Sequence, residues 1–306
     1  MAACTPPAES NGGSDSSKEI IAIFYTKTLE YYNTMLQGME DQAEEQGYTL
    51  TAQHANLDVA EQQELFRTAV AKKPAGIILG PMQADAWGPT LQVAEDAGVP
   101  VIIVANDVPE ESRDLRLTQV GVQNFDVGEA KANWLVDQLG GEGDVLVIHF
   151  LRGHPYTEDQ RRAYTEVFDA NPGINVIEGP YAVSTEEAIR ATENALSSSG
   201  APDAVFFDLD DGAIGGLQVL KERGFTDVIT ASSDGTNAGV DAVAAGELGL
   251  TVSIRPYETG TTAVEAMVAY LEDDKAPQDP ITFPPLEITK DTVADVPPEE
   301  LGEDPS

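Results

Sequence analysis

The residues best suited to binding a small molecule follow the ends of short apolar runs. Tyr31 and Tyr32 come shortly after the run 20–24, and Asp85 and Asp107 follow two later apolar runs. If these runs are parallel strands, the four side chains lie beyond their carboxyl ends, where ligands bind in open α/β sheets. We therefore predict a ligand site there that includes all four residues. Asp85 and Asp107 would equally suit turns or helix N-caps.

The two adjacent tyrosines begin a helix-period pattern that continues through Met35 and Met39 and ends at Gly47. Neighbouring residues of a helix point in different directions, so Tyr31 and Tyr32 cannot share one face. We expect one of them to face the ligand, and we favour Tyr32.

The three histidines do not predict a metal site. His54, His149 and His154 lack a metal-ligand spacing such as i, i+4. His154 lies between Gly153 and Pro155, in a loop that would face the ligand site, so we expect it to hydrogen-bond a ligand. The sequence also lacks a dinucleotide fingerprint, a P-loop and a nucleophile elbow. We predict a binding protein rather than an enzyme, with no metal and no cofactor.

Apolar runs and helix-period segments alternate along the chain and predict an α/β fold. The run 20–24 is continuous, which fits a strand buried on both faces of a parallel sheet. Two sets of similar size follow one another with short connections, as in doubly wound sheets. The helix from about Glu258 to Leu271 comes after the second set is complete, so we expect it to pack on the first. The sequence thus predicts two doubly wound parallel-sheet lobes, a hinge that the chain crosses several times, and a ligand cleft between the lobes.

These patterns divide the chain into four regions. A tether covers residues 1–18, and the N-terminal lobe combines 19–123 with 255–283. The C-terminal lobe combines 124–254 with 284–292. The acidic, proline-rich segment 293–306 is predicted to be a strap or tail.

The charge balance excludes two classes of partner. The 306 residues include 17 Lys and Arg against 53 Asp and Glu, which gives a formal net charge of −36. Binding nucleic acid requires a basic face that neutralises phosphates, and docking on anionic lipid requires positive charge as well. We therefore expect neither partner, and we expect solvated helix faces to carry most of the acidic residues. No run of 18 apolar residues predicts a membrane span.

Short motifs along the chain together resemble one known family. They lie between about Glu19 and Lys290, at 31–32, 43–48, 76–79, 97–101, 121–124, 203–206 and 233–236. Their order and spacing are similar to those of the periplasmic sugar-binding proteins of ABC transporters, of the ribose-binding type. These share the type I periplasmic binding protein fold with the effector domain of the lac repressor. The resemblance implies an extracytoplasmic protein, which we expect to be a monomer, that closes two lobes over a sugar or polyol and delivers it to the permease of an ABC importer.

The resemblance implies roles for the strongest candidate residues. It places Tyr31 and Tyr32 against the ring of a sugar, whose C–H groups pack on aromatic faces. It also makes Asp234 an acceptor of hydrogen bonds from sugar hydroxyl groups, because ionised carboxylates form the stronger hydrogen bonds.

Two further positions follow from the same resemblance. Asn124 falls where the chain crosses between the lobes and would hold a hydroxyl group. The family carries a ligand-binding arginine early in the helix after the sixth strand, and that place is covered here by Gln160, Arg161 and Arg162.

Three positions depart from the ribose-binding pattern. Ribose binders carry Asp-Arg at the end of the fourth strand, where this chain has Ala105-Asn106. Leu209 replaces an asparagine, and Ile254, with Arg255 beside it, replaces a glutamine near the last crossing. We include Asn106 and Arg255 among the ligand-binding residues. The departures weigh against a pentose and leave open a larger sugar, a polyol or another small polar metabolite.

Two other functions stay open. One is a receptor for a small signal molecule on the same fold. The other follows from Asp208 and Asp210, which resemble the nucleophile motif of haloacid dehalogenase-type phosphatases, where the first Asp attacks phosphorus and the second is the acid/base. That motif continues with Gly-Thr, whereas Asp211-Gly212 follow here. We favour ligand binding for Asp208 and Asp210.

The single cysteine, Cys4, excludes an intramolecular disulfide. Small residues precede it, and a segment rich in Pro, Gly and Ser follows it. This arrangement resembles the end of a bacterial or archaeal lipoprotein signal, in which the cysteine carries the lipid. The resemblance implies a protein anchored to the membrane through Cys4.

Overall fold

The computed structural model describes residues 18–301, so Cys4 and nearly all of the predicted tether lie outside the described residues. Strands and helices alternate through both halves. The first half contains β1 Glu19–Phe24, α1 Glu30–Glu45, β2 Thr49–His54, α2 Val59–Ala71, β3 Gly76–Gly80, α3 Gly88–Ala97, β4 Val101–Val104 and β5 Thr118–Val122. The second half contains α4 Asn124–Leu139, β6 Glu142–His149, α5 Pro155–Asp169, β7 Gly173–Tyr181, α6 Thr185–Ser199, β8 Ala204–Phe207, α7 Asp210–Glu222, β9 Ile229–Asp234, α8 Asn237–Ala245, β10 Leu250–Ser253, α9 Pro256–Asp273, β11 Ile281–Phe283 and β12 Leu286–Thr289.

The strands form two six-stranded sheets, and the predicted pair of doubly wound lobes is confirmed. The N-terminal sheet has the order β11-β5-β4-β3-β1-β2, and the C-terminal sheet has the order β12-β10-β9-β8-β6-β7. All pairs are parallel except β10 with β12. The chain passes between the sheets after β5, after β10 and between β11 and β12. Up to β12, three connections between the two sheets therefore join the lobes of the described chain.

The strand cores explain why the sequence forms these sheets. Ile20, Ile21, Ala22, Ile23 and Phe24 are all fully buried, as expected for a strand covered by helices on both faces. Burying one such large aliphatic or aromatic side chain contributes about 1.5–3 kcal/mol. The continuous apolar run therefore favours a central position for β1.

Helix α9 packs against α1 of the N-terminal lobe, where the sequence places it. A Cβ atom at Gly38 would lie 2.4 Å from the carbonyl oxygen of Tyr257, and one at Gly260 would lie 2.1 Å from the carbonyl oxygen of Met35. Glycine at both positions lets the two helix backbones approach closely. The helix that follows β10 of the C-terminal sheet is thus fixed to the N-terminal lobe.

Strand β9 is longer than its apolar run. The sequence predicts a strand over 228–231 and a loop over 232–236, but Ser232, Ser233 and Asp234 continue the strand. These three residues pair in parallel with Thr251, Val252 and Ser253 of β10. Backbone pairing with β10 thus extends β9 through polar residues. Asp234 is the last residue of the strand and faces the other lobe.

The last part of the chain is ordered against both lobes over the described residues. Two short 3-10 helices cover Val293–Asp295 and Pro298–Leu301. Glu300 is buried and accepts hydrogen bonds from the backbone N–H groups of Tyr257 and Glu258, at the start of α9. Within residues 18–301, no helix combines the length and the apolar character needed to cross a membrane.

Candidate functional site

A cavity lies between the carboxyl ends of the two sheets. Its free volume in this closed arrangement is about 40 Å³, which is room for only a few water molecules, so a ligand can enter only when the lobes move apart. Its wall is formed by Tyr25, Leu29, Tyr31, Tyr32, Ala105, Asn106, Val122, Asn124, Phe150, His154, Tyr156, Leu209, Asp234 and Ile254. Both lobes contribute, so a ligand in this cavity would contact both at once.

Three tyrosines form the wall on the N-terminal lobe. Tyr25 follows β1, and Tyr31 and Tyr32 lie in the first turn of α1. The Tyr32 ring packs edge-on against the rings of Tyr25 and Tyr31, with centroids 5.0 Å apart in both pairs. Both Tyr31 and Tyr32 line the cavity, although the sequence predicted that only one would face it. The first turn of α1 lies at the cavity. Tyr31 and Tyr32 therefore both reach its wall, although their side chains point in different directions.

Two asparagines lie near the first crossing between the lobes. Asn106 follows β4, and Asn124 begins α4. The Asn124 Nδ2 atom donates a hydrogen bond to Asn106 Oδ1 at 2.9 Å. Ala105 has a left-handed backbone conformation with φ of 61°, which turns the chain so that Asn106 is buried in the wall. The remaining amide donors and acceptors can serve the hydroxyl groups of a ligand.

Among residues 18–301, Asp234 provides the only carboxylate of the cavity wall. The Tyr156 hydroxyl group lies 2.9 Å from Ser233 Oγ and donates to Asp234 Oδ1 at 3.2 Å. Burial raises the pKa of the Asp234 carboxyl well above its usual value, and the nearby Asp210 and Asp211 carboxylates raise it further. Lys131 and the hydroxyl group of Tyr156 act in the opposite direction.

Lys131 is a buried cation behind this wall, and the sequence analysis missed it. Its Nζ atom donates to the carbonyl oxygen of Phe207 and to Ser233 Oγ, both at 2.8 Å. Burial lowers its pKa to about 8, while Asp208, Asp234 and Asp210 oppose that shift. Lys131 therefore ties the ends of β8 and β9 together. The one available signal was a lysine on the apolar face of α4, four residues after Val127 and four before Leu135.

His154 is 3% exposed and lines the cavity. Neither of its ring nitrogens has a hydrogen-bond partner. Its ring contacts Tyr25 and Phe150 edge-on, with centroids 5.8 and 5.4 Å away. Burial lowers the pKa of His154 to about 4, although Asp208 raises it in part. A neutral imidazole here offers one donor and one acceptor to a ligand.

Asp85 and Asp107 do not line this cavity. Asp85 is exposed in a 3-10 helix, Ala84–Ala86. The Asp107 carboxylate pairs with Arg116, whose Nε and Nη2 atoms donate at 2.7 and 2.8 Å, and also with Arg113 at 2.9 Å. Both aspartates border an adjoining groove, which shares Ala105, Val122 and Asn124 with the cavity wall. Both loops follow strand ends as predicted, but two arginines occupy the Asp107 carboxylate, and the sequence pattern did not reveal them.

Asp210 also lies outside the cavity, because donors of the protein surround its carboxylate. It accepts hydrogen bonds from the hydroxyl groups of Ser232, Thr236 and Thr251 and from the backbone N–H of Thr236. Burial raises the pKa of Asp210, and these hydrogen bonds oppose that shift. Its role is to join α7 to the ends of β9 and β10.

Asp208 and Gln160 are buried near the site but do not line the cavity. Asp208 Oδ2 accepts the backbone N–H of Phe150 at 2.8 Å, while Oδ1 has no partner. Gln160 lies on the side of α5 that packs against α4 at Gly128, and neither polar atom of its side chain has a partner. The structure thus uses Asp208 to position the cavity residue Phe150.

The two arginines proposed from the resemblance point elsewhere. Arg161 Nη2 donates to Glu178 Oε2 and to the Tyr181 hydroxyl group, both at 3.1 Å. Arg255 has φ of 50° and its Nε atom lies 2.7 Å from Glu258 Oε2. Neither residue lines the cavity. Each is held by a carboxylate of its own lobe, which the sequence pattern did not reveal.

Several cavity residues were not predicted. Tyr25, Phe150 and Tyr156 come directly after β1, directly after β6 and at the start of α5. The same rule that selected the other strand-end loops could have found Tyr25 and Phe150. Leu209 and Ile254, which stand where the ribose-binding pattern has polar residues, make the wall more apolar.

The arrangement suits binding rather than catalysis. Aromatic faces, two amides, a neutral imidazole and one carboxylate surround a closed space. The phosphatase alternative requires Asp208 and Asp210 to face a substrate, but neither residue lines the cavity, and donors of the protein surround the Asp210 carboxylate. Over residues 18–301, no group of three or more His, Cys, Asp or Glu side chains is arranged to hold a metal ion.

Comparison with known proteins agrees with this architecture. Residues 20–275 match the model of a family described as periplasmic binding protein domain. A galactofuranose-binding protein of Escherichia coli is 27% identical over 83% of this chain and 80% of its own length. A xylitol-binding protein of Mycolicibacterium smegmatis is 29% identical over 84% of this chain and 73% of its own length. A crystal structure described as a periplasmic ribose ABC transporter from Conexibacter woesei has a TM-score of 0.80 and 30% identity, covering 93% of this chain and 96% of that one.

The family match covers most of the chain and includes residues of both lobes. It agrees with the resemblance drawn from the sequence motifs and rules out the phosphatase alternative. The chain therefore belongs to the periplasmic binding protein family, whose members are extracytoplasmic solute-binding proteins of ABC transporters and not enzymes.

Proposed function

We propose that this protein captures a sugar or polyol and delivers it to an ABC importer. The observation that carries the proposal is the enclosed cavity between the lobes, where His154 leaves both ring nitrogens unpaired beside aromatic faces. The relatives named for galactofuranose and xylitol support a polyhydroxylated ligand.

Each wall of the cavity has a part in the proposed binding. Tyr31 and Tyr32 pack against the C–H faces of the ligand, while Asn106, Asn124 and Asp234 hold its hydroxyl groups. A hydrogen bond to an ionised group contributes about 1.5–3 kcal/mol, so Asp234 provides the strongest polar contact.

Binding is coupled to closure of the two lobes. The ligand stabilises the closed state because only that state lets it contact both walls. Two contacts support such closure without a ligand: the rings of Tyr25 and His154 meet across the cleft, and Glu30 on α1 accepts the backbone N–H of Asn237 on α8. We place the hinge at the predicted lobe boundaries, 123/124, 254/255 and 283/284.

A thermal-shift panel tests the proposed function. The purified protein is melted with neutral pentoses, hexoses, inositols and linear polyols, and with nucleosides and amino acids as other classes. A ligand present at about 100 times its Kd adds about 2.7 kcal/mol of stability. A shift with a sugar or polyol supports the proposal. A shift confined to another class, or a clean melt that no compound moves, contradicts it and favours a signal receptor.

The proposal also covers the partners of the protein and its location. We propose a monomer that presents its two lobes to the permease of the importer and is anchored through a lipid on Cys4. Light scattering after gel filtration tests the monomer, with a dimer as the contrary result. Incorporation of labelled fatty acid into the full chain, lost in Cys4→Ser, tests the anchor, and unchanged labelling of the variant would exclude it.

A further inference from the structure

The wall of the cavity has an acidic side chain but no positively charged one among the described residues. Asp234 lines the wall, whereas no lysine or arginine among the described residues does. Arg161 and Arg255, the two arginines that the sequence predicted there, are paired with carboxylates elsewhere. The cavity therefore offers a ligand one negative charge and no positive charge.

The nearest buried cation does not neutralise this carboxylate. Lys131 stands behind the wall, where its Nζ atom donates to the Phe207 carbonyl oxygen and to Ser233. Its charge is shared among the buried carboxylates of Asp208, Asp210 and Asp234. Three carboxylates thus face one ammonium group.

Asp234 also has unused hydrogen-bonding capacity. It accepts one side-chain hydrogen bond, from Tyr156, while a carboxylate has about four acceptor sites. Burial and its acidic neighbours raise the pKa of Asp234, and Lys131 and the Tyr156 hydroxyl group oppose this only in part. A buried carboxylate needs a charged or strongly donating partner.

The surrounding rings favour a cation as that partner. Tyr25, Tyr31, Tyr32, Phe150 and Tyr156 all line the same cavity. The faces of aromatic rings attract ammonium groups, and the attraction is stronger where water is excluded. His154, with both ring nitrogens free, supplies separate contacts for hydroxyl groups.

We infer that the preferred ligand of this cavity is an amine-bearing sugar or polyol, whose ammonium group bonds to Asp234 between the aromatic rings. The inference rests on the proposed function and specifies its ligand class. The same charge balance disfavours sugar acids and sugar phosphates, since a second anion beside Asp234 would be repelled.

Calorimetric titration of matched pairs tests the inference. The probes are glucose with glucosamine, galactose with galactosamine, and myo-inositol with its monoamino derivative. N-acetylglucosamine and N-acetylgalactosamine serve as forms that keep the nitrogen but lose its charge. In at least one pair, we expect the amine to bind about tenfold or more tightly than its hydroxyl parent, and the acetylated form to lose that advantage.

Variants separate the role of Asp234 from a general effect of the acidic surface. Asp234→Asn keeps the shape of the side chain and should abolish the preference for the amine. Asp85→Asn removes an exposed carboxylate outside the cavity and should leave the preference unchanged. An unchanged preference in Asp234→Asn would overturn the inference.

Two outcomes distinguish this inference from the function on which it rests. If the hydroxyl parents bind as tightly as their amines or more tightly in every pair, the inference is wrong and the proposed function stands. If no member of any pair binds, the inference is also wrong, and the broader panel of neutral sugars and polyols decides the proposed function separately.

Discussion

Glu30 and Asn237 join the two lobes beside the ligand cavity. Glu30, the first residue of α1, accepts a hydrogen bond at 2.7 Å from the backbone N–H of Asn237, the first residue of α8. The contact places a carboxylate at the N-terminus of a helix, where the helix dipole favours negative charge. It can form only while the lobes are closed.

Removing this contact should weaken ligand binding without any change to the cavity. We expect Glu30→Ala to raise Kd about fivefold, because a partly exposed hydrogen bond of this type contributes about 1 kcal/mol to the closed state. Small-angle scattering of the unliganded variant should show a more open particle. Glu40→Gln, an exposed change on the same helix, is the matched control. Wild-type affinity in Glu30→Ala would show that the contact does not stabilise closure.

The Tyr156 hydroxyl group should contribute to affinity through Asp234. Tyr156→Phe removes the hydrogen bonds to both Ser233 and Asp234, so we expect about tenfold weaker binding and a loss of about 1 kcal/mol in unfolding free energy. Tyr257→Phe is the control, because that hydroxyl group bonds to Asp41 on the surface. Equal titration curves for Tyr156→Phe and the wild type would contradict this role.

His154 should make the folded state sensitive to acid. Its pKa falls from 6.5 to about 4 on burial, so the unfolded chain takes up the proton first as pH is lowered. The stability present above pH 6.5 is therefore lost as pH falls towards 4, by at most about 3 kcal/mol. Urea unfolding at several pH values should show a smaller loss over this window for His154→Phe. Parallel curves for the variant and the wild type would mean that His154 does not titrate in this way.

Lys131 should be required for the stability of the C-terminal lobe. Lys131→Met leaves the Phe207 carbonyl group and Ser233 without their charged donor, and each lost hydrogen bond to a charged group costs about 1.5–3 kcal/mol. Lys221→Met, which breaks an exposed pair with Glu247, should cost about 1 kcal/mol or less. Urea midpoints compare the two variants. If both midpoints lie close to that of the wild type, Lys131 has no such role.

The fold could be predicted from the sequence because its strands stand out as short apolar runs. The run from Ile20 to Phe24 is apolar on both faces, and it fits only a covered parallel strand. The position of α9 was also predictable, since five strands of the second sheet precede that helix and only β12 follows it. The extent of β9 was not, because Ser232 and Ser233 are polar and their place in the strand depends on pairing with β10.

Residues of the candidate site could be predicted where being at the end of a strand is enough to bring a side chain to the cavity. Asn106, His154 and Asp234 follow strands or end one, and all three line the cavity. Asp210 begins the helix after β8 and Arg161 lies in the first half of the helix after β6, but partners distant in sequence turn both side chains away. The partner of a charged side chain depends on tertiary packing. A single sequence does not show which residues the packing brings together.

Calorimetric titration of the strongest neutral sugar or polyol from the panel, into the wild type and into Asp234→Ala, tests the central claim most directly. If the cavity between the lobes is the binding site, the wild type binds one molecule per chain. Asp234→Ala then binds at least about tenfold more weakly, since the hydrogen bonds to the carboxylate are lost. Equal affinity in the two proteins would show that the ligand binds elsewhere and would contradict the account.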